Sequence, residues 1–126
     1  METTALLISD QLQDLNRMKN WFHKGITVKG LNAFSALPAA LASEMPSLII
    51  IRLREFDDFF RAYETIRTNP VAENVPLIVI AEVAIGDALK ENVTLRNTTL
   101  MGSSVTDGYM MKIIGDTMIA HRKPAT

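Results

Sequence analysis

The sequence predicts an α/β protein, a three-layer doubly wound parallel sheet built from five strand–helix repeats. Two observations carry this. Pro46-Ser-Leu-Ile-Ile-Ile-Arg-Leu53 and Pro76-Leu-Ile-Val-Ile-Ala81 are short, isoleucine-rich apolar runs, the signature of strands buried on both faces. Between them lies a segment with helical periodicity, so the pair forms a βαβ unit, whose crossover demands a parallel sheet covered by helices. In such sheets the chemistry gathers at the carboxyl ends of the strands. At that end of the central strand the chain places Arg52.

The elements follow in order. Thr4–Ser9 reads as the first strand, ending at Asp10. Gln11 to Lys24 reads as a helix, capped by Asp10 and stopped by Gly25, with Leu12, Leu15, Met18 and Phe22 on one face. Trp21 lies beside that stripe, either as a core-edge residue or as a partner contact. Ile26–Lys29 is a second strand broken by Gly30. Asn32–Ser43 is a helix capped by Asn32, and Pro38 either kinks it or sits in its first turn if it begins near Ala36.

The central strand, Leu48–Leu53, is followed by a helix to about Thr68 with Phe59, Phe60, Tyr63 and Ile66 inward, ended by Asn69-Pro70. Pro76 opens the fourth strand. Glu82–Arg96 suggests a short helix interrupted near Gly86. Asn97–Met101 is the last strand and Thr106–His121 the last helix. This order is flavodoxin-like if the first crossover places the second strand at an edge. The expected division is one domain over residues 1–121 and a polar tail or linker start over 122–126.

Composition narrows the functions. A chain of 126 residues with 48% hydrophobic and 21% charged residues supports one domain with a real core. A net charge of −1 gives no field for nucleic acid or an anionic membrane. With no cysteine, disulfides, zinc-thiolate sites and thiol catalysis are excluded, and two histidines make a histidine-rich metal site unpromising. No apolar run approaches the roughly 20 residues needed to span a bilayer. The first residues lack a basic secretory start, so the expected location is cytoplasmic. No glycine-rich phosphate loop and no nucleophile–base pair is visible, so the expectation is no enzyme and no cofactor.

Asp58 to Pro70 followed by Val75-Pro-Leu-Ile-Val-Ile80, together with Pro46-Ser-Leu-Ile-Ile-Ile51, resembles the receiver domains of two-component signalling, and the resemblance covers essentially the whole chain. It implies a site with a phospho-accepting aspartate after the third strand, two acids after the first to hold Mg²⁺, a Ser or Thr after the fourth and a Lys after the fifth. Here those positions hold Arg52, Asp10 with Gln11, Ala81, and Gly102 followed by Ser103. A guanidinium has no lone pair to attack phosphorus. The resemblance thus implies a pseudo-receiver: a phosphorylation-independent module for protein partners, with self-association possible through the helix 4–strand 5–helix 5 face.

Three expectations follow. Either Asp10 pairs with Arg52 where the metal would sit, or Arg52 points to solvent and Asp10 only caps a helix. Partner contacts draw on Trp21, Tyr109, Met111 and Ile119. The alternative function is an anion- or nucleotide-binding regulatory domain in which Arg52, Arg54, Ser103 and Ser104 converge at the carboxyl edge. Glu55, Asp57 and Asp58 are remote candidates for a displaced acceptor.

Overall fold

A computed structural model describes residues 3–43, 45–70, 72–92 and 97–122. Strand β1 (Thr3–Ile8) leads to helix α1 (Leu12–Lys19) and strand β2 (Ile26–Leu31). A 3-10 turn (Phe34–Ala36) runs into α2 (Leu37–Ser43), and then come β3 (Leu48–Arg52), α3 (Phe56–Thr68), β4 (Leu77–Ala81), α4 (Val83–Asn92), β5 (Thr98–Gly102) and α5 (Asp107–Arg122). The strands form one sheet in the order β2-β1-β3-β4-β5, and every neighbouring pair is parallel. This is the doubly wound architecture that the sequence predicts, with β2 at an edge.

The period-two alternation of the strands builds two cores. Leu6, Ile8, Ile49, Ile51, Leu77 and Val79 point to the side covered by α2, α3 and α4. Leu7, Leu48, Ile50, Ile78 and Ile80 point to the side covered by α1 and α5. The β3 residues Leu48–Ile51 and the β4 residues Leu77–Ala81 are buried throughout, because helices cover both of their faces. Each large side chain buried this way contributes roughly 1.5–3 kcal/mol.

Several boundaries differ from the expected ones. Helix α1 ends at Lys19 rather than Lys24: the Asn20 N–H turns back to Arg17 O and the Trp21 N–H to Met18 O, closing the helix in a tight last turn. Its N-cap position is Gln11, with no side-chain cap from Asp10 or any other described residue; Ser9 Oγ accepts the Gln11 N–H at 3.2 Å just before the helix. Leu12 is 62% exposed, so the buried stripe of α1 is Leu15 and Met18. Gly30 lies inside β2, where the Leu15 side chain packs over it. Pro38 takes the first-turn position, since α2 begins at Leu37, and Asn32 donates to Ser9 O instead of capping. Phe60 is 41% exposed, unlike Phe59 and Ile66. Helix α4 passes through Gly86 without interruption. Thr106 Oγ1 accepts the Tyr109 N–H and caps α5.

Candidate functional site

The parallel register brings four strand ends to one edge. Ile8 pairs with Ile51, Arg52 with Ile80, and Ala81 with Gly102. The residues singled out for the degenerate site therefore do share an edge, but their partnerships differ from those expected.

Arg54, not Arg52, neutralises the acids. Its guanidinium forks between Asp10 Oδ1 at 2.8 Å and Asp14 Oδ2 at 2.7 Å. Buried Ser9 donates its hydroxyl to the same Asp14 oxygen at 2.7 Å. Burial alone would raise the Asp14 pKa. The hydrogen bonds from Ser9 and Arg54, with the charges of Arg54 and Arg52, outweigh it and hold the carboxyl below the usual aspartate range.

The expected Asp10–Arg52 ion pair does not form. The alternation of β3 turns Arg52 to the α1/α5 side with Leu48 and Ile50, whereas Arg54, beyond the strand end, reaches Asp10. Arg52 makes no ion pair among the described residues. It lines a cavity of about 40 Å³ together with Asp14, Arg17, Met18, Trp21, Ile80, Ser103 and Val105. Of the four expected anion contacts, Arg52 and Ser103 come together there. Arg54 is occupied by the carboxylates, and Ser104 is exposed outside that lining.

Trp21 is a correction. It is 5% exposed, it belongs to the α1/α5 core, and its Nε1–H donates to Asp107 Oδ1 at 2.8 Å. Arg17 joins the same carboxylate at 2.8 Å, donates to Val105 O at 3.1 Å, and places its guanidinium 5.6 Å from the indole centre. Tyr109 and Met111 are about half exposed on α5, but two residues along a helix is roughly 200° around its axis, so they face opposite ways. The Ile119 side chain lies outside the described residues, as do residues 93–96 of the expected partner face.

Ala81 is buried and contributes no hydroxyl. Gly102 is exposed, and a Cβ there would meet nothing within 4 Å, so sterics do not demand the glycine. Asp57 and Asp58 lie in the first turn of α3, with Glu55 at its N-cap position, where acids complement the helix dipole. Among the described residues no cluster of His, Cys, Asp or Glu is arranged to hold a metal, and no helix is long and apolar enough to cross a membrane.

Solved structures resemble this arrangement along its full length. The signal receiver domain of a signal transduction histidine kinase from Syntrophus aciditrophicus superposes with a TM-score of 0.81 at 12% identity, covering 98% of this chain and 96% of that one. The receiver fold is the fold of this chain. The receiver domain of a Pseudomonas aeruginosa sensor histidine kinase, solved with magnesium coordinated in its active-site cleft, gives a TM-score of 0.76 at 16% identity over 94% and 98% of the two chains. The phosphorylated cyanobacterial phytochrome response regulator RcpA gives 0.71 at 15% identity over 100% and 98%. No family model and no curated protein matches the sequence.

The sequence did not reveal the roles of Ser9, Asp14 and Arg54. One signal was present. Asp14 follows Asp10 by four residues at a helix start, a spacing that sets two carboxylates on one side. Which arginine answers them depends on how the chain turns after β3, and residue spacing does not encode that.

Proposed function

We propose that this chain is a regulatory protein-interaction module of receiver fold that works without phosphorylation and transfers no phosphoryl group. The observation that carries the reading is Arg52 at the carboxyl end of the central strand, the position that by resemblance belongs to the acceptor aspartate. Its charge would attract a phosphoryl group, but it has no oxygen to take one. The acids support the same reading. Arg54 holds Asp10 and Asp14 in the way a bound cation would, so the site is neutralised from within. The module is not an enzyme on this reading, and its setting is the cytoplasm. The partner surface is the α4–β5–α5 side, which carries Tyr109.

The deciding experiment is a backbone amide titration by NMR with Mg²⁺ and beryllofluoride, a phosphoryl mimic. The expected result is no saturable response at Asp10, Arg52, Ala81 or Gly102. A saturable response there would overturn the proposal and return Glu55, Asp57 and Asp58 to consideration as acceptors.

One observation favours a second reading, a small-anion sensor. Arg52 and Ser103 line one cavity, where the Asp14 carboxylate is held by Arg54 and Arg52 makes no ion pair among the described residues. At about 40 Å³ that space suits an inorganic anion and falls well below the roughly 300 Å³ at which small-molecule pockets begin, so it does not support a nucleotide. Titration with inorganic phosphate alone separates this reading from the first. Shifts at Arg52 and Ser103 without Mg²⁺ or beryllofluoride would favour it.

A further inference from the structure

We infer that the groove between the α1–β2 connection and α5 binds a small, neutral, apolar molecule about the size of a bicyclic aromatic. It lies apart from the carboxyl-edge cavity, and Trp21 lines both. The inference does not depend on the proposed signalling role.

One wall is Trp21, Phe22 and His23 with Ile26 at the opening of β2. The other is the α5 stripe Met111, Ile114, Gly115 and Met118, spaced at three, four and seven residues and so aligned on one face. Among the described residues the lining carries no Asp, Glu, Lys or Arg, so a charged ligand would lose its hydration without a partner there. Methionine and aromatic walls adapt to flat apolar shapes. His23 holds its place at the groove through Nδ1, which accepts the Gly25 N–H at 3.0 Å.

Size selects the occupant. The cavity measures about 220 Å³. A dry apolar cavity of roughly 150 Å³ takes up benzene, so this one has space for a second ring. It is too small to seat a helix, and a protein partner would need an interface on the order of 1,000 Å².

Gly115, one of the lining residues, adds an energetic consideration. A glycine inside a helix costs about 1 kcal/mol relative to alanine. No close approach within the chain requires it, since a Cβ there would meet nothing within 4 Å. Gly86 and Gly108 are equally open, but Gly115 alone of these three helical glycines lines the groove, where a side chain would take up ligand space.

The test uses the full chain with ¹³C-labelled Met and Ile methyls, titrated with 2-naphthol. Saturable shifts are expected at Met111, Ile114 and Met118. Gly115→Leu should fill the groove and weaken binding by about tenfold or more, a loss of about 1.4 kcal/mol, while the melting temperature holds or rises. Met111→Asp, at a half-exposed position on the lip, provides a second variant that should fold and should also weaken binding. Absent shifts, unchanged binding in both variants, or equal affinity for 2-naphthoate would overturn the inference. So would the same methyl shifts appearing on raising protein concentration without probe, which would assign the groove to a second copy.

Discussion

Arg54 and Arg52 sit two residues apart and have opposite electrostatic situations. Arg54 is about two-thirds buried and answers two carboxylates. Replacing it with methionine removes the cation that bonds both Asp10 and Asp14 and leaves Asp14 only the unbonded charge of Arg52. Arg54→Met should therefore lower stability by about 1–2 kcal/mol in urea unfolding, chiefly through Asp14, because half-exposed Asp10 is screened by water. Arg52→Met should cost far less, since it breaks no ion pair among the described residues. Equal losses would mean that the fork is not what stabilises this edge. The pH dependence has a definite sign. The folded state depresses the Asp14 pKa, so the stability it contributes is present above the unfolded aspartate pKa of about 3.9 and is lost as pH falls through the lower folded value. Below about pH 4 the native chain should lose stability more steeply than Asp14→Asn, as followed by thermal melts across that range.

At the scale of elements, the α3–β4 connection shows what holds the sheet's far side in place. Arg67 is 6% exposed at the end of α3, and its guanidinium donates to the carbonyls of Glu73, Val75 and Asn97 at 3.1, 2.9 and 3.2 Å. It also lies 5.4 Å from the Tyr63 ring centre. One planar donor fork thus fastens the loop before β4 to the start of β5. Arg67→Lys should lose roughly 2–4 kcal/mol in denaturant unfolding despite keeping the charge, because an ammonium cannot span that geometry. The central strands and the last helix were legible in the sequence, since continuous apolar runs and helical periodicity report burial directly; the strand order was legible only up to the side to which the first crossover runs. The end of α1 and the continuity of α4 were not. Gly25 looked like the stop, whereas backbone bonds at Asn20 and Trp21 close α1 earlier, and Gly86 sits in a helix that tolerates it. At the candidate site, the positions were legible because strand ends align, and the pairing was not, because it depends on which way each arginine leaves the strand. Trp21 was ambiguous for a related reason: its burial depends on packing against α5 and its indole N–H on Asp107, both distant in sequence.

For the molecule as a whole, that contact is a latch between the first helix and the last. Asp107 receives Arg17 and Trp21, and the Trp21 and Arg17 hydrogen bonds, with the Arg17 charge, hold its carboxyl below the ordinary range against the opposing effect of burial. Asp107→Ala should speed amide hydrogen exchange in α5 more than in α3, which lies on the opposite layer. Uniform acceleration would show that the latch stabilises the fold globally instead. The two-layer arrangement also has a consequence for how the protein is made. The core beneath α2, α3 and α4 has all its fully buried described members by Leu89, with partly buried Leu100 packing on later, but the other side of the same sheet waits for Met110, Ile114 and Met118. A ribosome adding about 5–20 residues per second needs roughly 1.5–6 s to synthesise the stretch between them. For that interval the nascent chain carries a half-covered sheet, and Leu7, Ile50 and Ile78 are the residues a chaperone would meet.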